Sequence, residues 1–278
     1  MNVLGIDFTS SPSRRKPITC LHCKLDHSVL RSITLEEWSD IELFTDALNR
    51  PGPWIAGIDF PFGQSRTFIN NIGWPNNWAA YVSYAAPLGR SGFREALDSY
   101  RGQRPFGDKE HRRATDIAAS SISPQKLYGV PVGLMFFEGA QRLLNSDVTV
   151  PGLRLGDPRR IVVEAYPGVL ARRVLGRAAY KNDNSQKQTD IQRQTRRILL
   201  DHILTGTVAS HYGFRVEAPR NLAEDPTGDR LDALLCAMQA GWAWTKKENG
   251  YGAPADADPL EGWIADPTLV TRSDRAFA

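Results

Sequence analysis

Two short segments of the chain each place an aspartate at the end of an apolar run. Residues 3–10 read VLGIDFTS and residues 54–63 read WIAGIDFPFG, so Gly-Ile-Asp-Phe occurs twice, with its acids at Asp7 and Asp59. Runs of Val, Leu and Ile are typical of strands buried on both faces. A charge at the end of such a strand costs free energy unless something there requires it. Taken alone, Asp7 is equally consistent with a turn-capping residue, but the repetition favours a chemical role.

The two acids are expected to meet at one edge of a sheet. In open α/β sheets, ligands bind outside the carboxyl ends of the strands, which is where Asp7 and Asp59 lie in the predicted strands. Two neighbouring carboxylates repel each other, and a shared proton or a shared cation relieves that repulsion. The sequence therefore predicts a divalent metal site, for Mg²⁺ or Mn²⁺.

Three further acids have positions that suit the same edge. Glu164 ends a third apolar run, RIVVEAY, at residues 160–166. Asp229 and Asp232 are three residues apart in the first turn of an alanine- and leucine-rich helix predicted over 227–240, and therefore share a face. Acids at a helix N-terminus are also favoured by the helix dipole. That alternative accounts for Asp229 better than for Asp232, which stands among apolar neighbours.

The remaining pattern predicts alternating strands and helices. Residues 17–24 and 28–34 read as a β-hairpin, and Thr34-Leu-Glu-Glu37 fits a capping box that would start a helix ending before Arg50-Pro-Gly-Pro53. Later periodic segments predict helices over 134–144, 167–175 and 186–204, and a short strand over 213–217.

The middle of the chain, about residues 64–159, reads as an insertion or lid beside the sheet. It carries interleaved aromatic residues and a basic stretch from 90 to 113, a composition that could hold a phosphate backbone and stack bases. A solvated loop region with its own small core is an equally good interpretation. Arg113 could contact a phosphate, although an ion pair with Asp116 is slightly favoured.

Composition indicates an ordinary globular protein of 278 residues, with 41% hydrophobic and 23% charged residues and a net charge of +3. No apolar run of membrane-spanning length and no signal-peptide core is present, so no membrane association is expected. Three cysteines, Cys20, Cys23 and Cys236, suggest a reducing, cytoplasmic location. The Cys20–Cys23 pair lacks the second ligand pair of a zinc site, and is interpreted as ordinary strand cysteines.

Four motifs in order resemble a known family. GIDF, GIDFPFG, EAYPG (164–168) and DRLDALLCA (229–237) are similar to the family called domain of unknown function 429, whose members are predicted ribonuclease-H-like nucleases. The DxxD pair is also similar to that of RuvC-type resolvases. The resemblance covers residues 1–63 and 160–245, and the middle only loosely, through 113–116 and 129–133.

The resemblance implies one α/β domain over 1–278, with a core at 1–63 and 160–246, the insertion at 64–159 and a tail at 247–278. Its fold would be a ribonuclease-H-like mixed five-stranded sheet, order 3-2-1-4-5, flanked by helices. Nucleic acid, either DNA or RNA, would be a possible partner. Whether the substrate is DNA, RNA, a junction or a small phosphoester is left open, as is the oligomeric state.

The implied site has Asp7 bridging two Mg²⁺ ions, with Asp59 and Asp232 as flanking ligands. Asp229 would be a ligand or would support one, and Glu164 would line the site as a less certain catalytic acid. Candidate substrate-binding residues, on the same resemblance and on position, are Thr9, Ser10, Arg113 and Asp116.

Two other functions remain open. Actin-like ATPases and sugar kinases also begin with an acid before a hydroxyl-rich turn, as in residues 7–11, but residues 59–63 are poor in the glycines of a second phosphate loop. No Walker motif is present either. The third reading is a nucleic-acid-binding protein with a relic site, although unpaired acids would destabilise a site that no longer binds metal.

Overall fold

The computed structural model describes residues 1–182 and 185–269. The part of the predicted tail from 270 to 278 lies outside the described residues. The described chain contains one mixed sheet with helices on both faces. Its strands are β1 (Asn2–Asp7), β2 (Ile18–Asp26), β3 (Val29–Trp38), β4 (Trp54–Ile58), β5 (Val148–Thr149), β6 (Asp157–Glu164) and β7 (Arg215–Glu217).

Ten α-helices occur within the described ranges, and none of them is long and apolar enough to cross a membrane. They are α1 (Ile41–Leu48), α2 (Arg66–Ile72), α3 (Trp78–Ala85), α4 (Gly89–Gly102), α5 (Ala114–Ala118), α6 (Val132–Asn145), α7 (Pro167–Leu175), α8 (Asp190–Leu204), α9 (Ala209–Tyr212) and α10 (Asp229–Thr245).

The strand order across the sheet is β5-β6-β4-β1-β2-β3-β7. Strand β1 pairs antiparallel with β2, and β2 with β3, whereas β1, β4 and β6 run parallel. The α/β class predicted from sequence is confirmed. The sheet has seven strands in the described chain instead of five, because the short strands β5 and β7 extend its two edges.

The sheet separates two hydrophobic cores. Successive residues of a strand point to opposite faces, so Leu4 and Ile6 of β1 join the core beneath α1–α6, while Val3 joins the core beneath α7–α10. Strands β4 and β6 alternate in the same way. The helices of residues 64–159 therefore form one layer of the fold and share a core with the sheet.

Helix α10 lies in backbone contact with the centre of the sheet. A Cβ atom added to Gly5 would lie 1.9 Å from the carbonyl oxygen of Ala233, and one added to Gly57 would lie 2.3 Å from that of Cys236. No side chain larger than hydrogen fits at either position without moving the helix. The two glycines thus form a notch that fixes the position of α10 against β1 and β4.

The predicted start of the first helix, at the Thr34–Glu37 capping box, is wrong. Strand β3 continues to Trp38, which pairs with Ile18, and α1 begins only at Ile41. Cross-strand pairing and the burial of Trp38 outweigh the local capping signal. Asp40 caps the helix instead, accepting a hydrogen bond from the Glu42 amide at 3.0 Å.

Other predicted elements are confirmed. The hairpin forms β2 and β3, the 134–144 and 167–175 segments form α6 and α7, and the 213–217 segment forms β7. Helix α8 begins at Asp190, later than predicted, because Thr189 and Gln192 form a capping box there. The tail folds back onto the sheet, where Ile264 forms a parallel bridge with Glu164.

Cys20 and Cys23 are buried residues of β2, as predicted. Cys20 belongs to the core beneath α1–α6, whereas Cys23 belongs to the core beneath α7–α10. Their side chains therefore lie on opposite faces of the sheet, where they do not converge on one ion.

Candidate active site

Asp7 and Asp59 lie side by side at the carboxyl ends of neighbouring parallel strands. Gly5 pairs with Gly57 and Ile6 with Ile58, and the Asp59 amide donates to the Ile6 carbonyl at 3.0 Å. The two-residue period of a strand places each aspartate on the same face as the glycine two positions before it. That is the face covered by α10. Both aspartates are partly exposed to solvent.

Helix α10 brings two more acids to the same place. Gly228, with φ of 82°, turns the chain into the helix, and Asp229 and Asp232 stand in its first turn. Both are buried, Asp232 at 1% exposure. Because the glycine notch holds α10 against β1 and β4, the first turn of the helix lies at the edge where the strands end. The structure therefore brings together four of the predicted site residues.

The loop after α7 contributes a lysine and a tyrosine to these acids. Lys181 forms an ion pair with Oδ2 of Asp232, and the Tyr180 hydroxyl donates to Oδ1 of Asp232 at 2.6 Å. Neither residue was predicted from the sequence, because both lie in a polar loop without periodicity or motif. We call Asp7, Asp59, Asp229, Asp232 and Lys181 the acid cluster.

Burial and mutual repulsion control the charges of the acid cluster. Burial raises the pKa of Asp7 well above its usual value, and Lys181 only partly opposes this effect. Burial, followed by the Asp232 charge, raises the pKa of Asp59 to about 7. Burial also raises the pKa of Asp229. Four acids thus face a single lysine within the cluster, and the excess negative charge favours either a proton or a cation.

The donor chemistry of the acid cluster fits a hard divalent cation. Asp7 and Asp59 form no side-chain hydrogen bond or ion pair with any described residue, so their oxygens are free to bind a ligand. As they stand, no three His, Cys, Asp or Glu side chains of the described residues are arranged to hold a metal ion. A bound cation, like a proton, would screen the repulsion between these carboxylates, and oxygen donors of this kind suit Mg²⁺ or Mn²⁺.

Glu164 belongs to a different environment. Glu164 pairs with Ile58 across β4 and β6, so its side chain points to the face opposite that of Asp59. Its two oxygens accept hydrogen bonds from Arg113 at 2.6 and 2.8 Å and from the Phe62 amide at 2.9 Å. This geometry compensates the charge of Glu164 within the protein and therefore gives no support to the catalytic role predicted for it.

Arg113 is the centre of this second group. It is 1% exposed, and its guanidinium bonds both oxygens of Glu164, both oxygens of Asp116 and the Glu261 carbonyl. The ion pair with Asp116 that the sequence favoured is confirmed at 2.8 Å. Since all five N–H groups are used within the protein, the phosphate and substrate contacts predicted for Arg113 and Asp116 are replaced by this network. We call Arg113, Asp116 and Glu164 the arginine cluster.

The hydroxyl residues after β1 have divided roles. Ser10 is buried, and Arg90 donates to its carbonyl oxygen at 2.9 Å and to its hydroxyl at 3.2 Å. Arg90 also pairs with Glu138 at 2.9 Å. Ser10 is thereby held as part of the fold, and its predicted substrate role is not supported by this geometry. Thr9 stays partly exposed two residues beyond Asp7.

Most of the interleaved aromatic residues of the middle segment are internal, whereas the basic residues of the 90–113 stretch other than Arg113 are exposed or partly exposed. Trp74, Trp78 and Tyr81 are buried in the core, and only Tyr84 of this group is half exposed, at 51%. Arg104 pairs with Asp108 at 2.8 Å and lies over the Tyr100 ring. The small-core interpretation of this region therefore describes these aromatics better than base stacking does.

No family model, no curated protein and no solved structure matches this chain.

Proposed function

We propose that this protein hydrolyses phosphodiester bonds of nucleic acid in a reaction that depends on Mg²⁺ or Mn²⁺. The observation that carries the proposal is the acid cluster itself. Four carboxylates from β1, β4 and α10 share one solvent-accessible edge of the sheet, and burial and repulsion raise the pKa values of three of them. An unmet negative charge at a strand edge is a frequent sign of a functional site.

The order of the five central strands supports the same proposal. Within the sheet, β3-β2-β1-β4-β6 corresponds to the order 3-2-1-4-5 that the ribonuclease-H-like resemblance implies. The antiparallel β1–β3 meander, the parallel β4 and β6, and a late helix carrying two acids agree with it as well. Fold similarity alone does not specify chemistry, so the proposal of metal-dependent hydrolysis rests on the acid cluster.

In this proposal Asp7, Asp59 and Asp232 hold the metal, and Asp229 supports them. When bound, the metal lowers the pKa of water and neutralises charge on the phosphodiester. Tyr180 and Lys181 fix the orientation of the Asp232 carboxylate, since each contacts a different oxygen of it. Lys181 also supplies a positive charge that can attract a phosphate.

The nucleotide-dependent phosphotransferase receives less support from the structure. A phosphate loop needs accessible backbone N–H groups and hydroxyls, yet the Ser10 hydroxyl is bonded to Arg90. At the second candidate loop, Gly63 packs against the backbone of Glu261, where an added Cβ would lie 2.3 Å from its carbonyl oxygen. That glycine serves close packing, and leaves no space for a phosphate.

The test combines metal titration with hydrolysis. We expect wild-type protein to bind Mn²⁺ and Mg²⁺ in isothermal titration calorimetry, and to cleave single-stranded and duplex DNA or RNA in their presence. Asp7→Asn should lose metal binding and at least a hundredfold in rate while its melting temperature stays the same or rises, because one repelling charge is removed.

Asp256→Asn is the matched control, since Asp256 is an exposed aspartate outside the acid cluster. It should keep wild-type metal binding and rate. Full turnover in Asp7→Asn would contradict the proposal. Salt-sensitive binding of nucleic acid by the wild type, without any cleavage at saturating Mn²⁺, would favour a relic site instead.

A further inference from the structure

A separate cavity adjoins the acid cluster at the same edge of the sheet. It has a volume of about 220 Å³ and opens between the ends of β4 and β6, the 121–135 segment and Ile264. Asp59 forms part of its wall. The rest of the lining is mostly apolar and includes Phe60, Val132, Met135 and Tyr166. A group seated in the cavity is thus next to Asp59, one of the proposed metal ligands.

The charged residues on the cavity wall have no capacity left for an anionic ligand. Arg113, Asp116 and Glu164 all line the cavity, but they form the arginine cluster and satisfy one another. The Ser121 hydroxyl donates to Asp116 at 2.8 Å. One arginine with two carboxylates leaves a net negative wall, which would repel a phosphate or a carboxylate. The negative wall thus disfavours an anion, and the mostly apolar remainder of the lining favours an uncharged, largely apolar group.

The mouth of the cavity is apolar and exposed. Ile122 is 42% exposed and Val130 is 43% exposed, and both line the cavity. Exposed apolar side chains gathered around a cavity are typical of a surface that meets a ligand. Their exposure also means that the cavity can be reached from solvent.

We propose that this cavity receives a nucleobase of the substrate, beside the phosphodiester held at the acid cluster. The inference rests on the proposed function and makes it more specific. Its volume is below the ~300 Å³ from which pockets for drug-sized ligands usually start, and so suits one planar ring system. Aromatic and aliphatic walls bind bases by stacking and burial, and the negative wall excludes the phosphate from the cavity while the acid cluster takes it through the metal.

The substrate class follows from this arrangement. A base stacked in a duplex cannot enter a side cavity, so it must be unpaired or must leave the helix. The protein should therefore act on single strands, loops or ends in preference to continuous duplex. The expected preference is at least tenfold in kcat/KM for a single-stranded oligonucleotide over the same sequence in a duplex.

Direct binding of nucleosides tests the cavity without any hydrolysis. Adenosine and uridine, which carry no phosphate, are titrated into metal-free protein and followed by ligand-observed NMR. We expect at least one of them to bind wild type and Asp7→Asn with affinities within twofold of each other. Ile122→Glu and Val130→Asp, at the exposed mouth, should weaken that binding at least tenfold without lowering the melting temperature.

Ile117→Glu is the matched control, because Ile117 is a 59% exposed isoleucine of α5 that does not line the cavity. Its nucleoside affinity should stay within twofold of wild type. The proposal is overturned if neither nucleoside binds, if indole binds and nucleosides do not, or if both mouth variants bind as tightly as wild type.

The two proposals fail in distinguishable ways. Nucleoside binding that the mouth variants abolish, in a protein that cleaves no phosphodiester, would retain the base cavity and reject the hydrolysis. Metal-dependent cleavage by a protein that binds no nucleoside, and that cleaves duplex and single strand equally, would retain the hydrolysis and reject the cavity.

Discussion

Two groups of buried charges lie near the same edge of this sheet, and they differ in how their charges are compensated. In the arginine cluster, one guanidinium bonds every oxygen of Asp116 and Glu164. In the acid cluster, four carboxylates share Lys181, and the side chains of Asp7 and Asp59 form no hydrogen bond or ion pair with the described residues. The charges of the first group are compensated within the fold, whereas the second holds an excess of negative charge that a proton or a ligand can neutralise. Compensation, more than burial, therefore distinguishes the two clusters.

The largest expected effect comes from removing the compensating charge of the arginine cluster. Arg113→Met should lower the free energy of unfolding by about 3–5 kcal/mol, because it leaves Asp116 and Glu164 buried without a partner. Chemical denaturation measures the change. Arg112→Met is the control, since Arg112 is exposed, and should change stability little. A loss as small as that of the control would mean that the two carboxylates are not ionised in the fold.

The acid cluster should make the stability of the protein fall as the pH rises, whereas an ordinary salt bridge makes stability rise with pH. The pKa of Asp59 is raised to about 7, so the folded protein holds a proton that the unfolded chain releases near pH 4. In EDTA, stability should therefore fall as the pH rises from about 4 to 7, by on the order of 2 kcal/mol once partial solvent exposure is allowed for.

Melting temperatures measured across this pH range, for wild type and for Asp59→Asn, test the prediction. The melting temperature of the variant should decline less than that of wild type, and Asp7, whose pKa is also raised, should cause the decline that remains. An identical slope in wild type and variant would contradict the assignment. Excess Mg²⁺ should reduce the decline of the wild-type curve as the pH approaches 7, because the cation replaces the proton.

Replacing the lysine of the acid cluster should have a smaller effect. Lys181→Met should tighten Mg²⁺ binding about tenfold, or ~1.4 kcal/mol, because it removes a positive charge from the field of the four acids. Metal-free stability should also fall, since the buried Asp232 then keeps only Tyr180. Lys187→Met, on a lysine outside the cluster, is the control. Unchanged Mg²⁺ affinity in Lys181→Met would show that Lys181 does not compete with the metal.

The sequence predicted the acid cluster better than it predicted the arginine cluster. Asp7 and Asp59 end apolar runs of strand length, and the two-residue period then decides their common face. Glu164 ends a similar run, but a difference of one residue in register directs it to the opposite face. Register depends on long-range pairing, which a single sequence does not reveal.

Local signals succeeded where no distant contact opposed them. Pro167 at the first helical position correctly marks the start of α7. The Thr34–Glu37 capping box fails because pairing with β2 extends β3 through it. Lys181 was missed because only tertiary structure carries its loop to the acids. The cavity was missed for the same reason, since its walls come from four separate parts of the chain.

The glycine notch explains why the Gly-Ile-Asp motif occurs twice: in each copy, the glycine positions the aspartate relative to α10. Each copy joins a point of backbone contact with α10 to an acid two residues later, a spacing of roughly 6.6 Å along the strand. The helix meets the strands through main-chain atoms, which have no alternative rotamers, so the alignment between the strand acids and the helix acids is as rigid as the backbone. A methyl group at Gly5 or Gly57 would therefore misalign the two pairs of carboxylates without altering any of them.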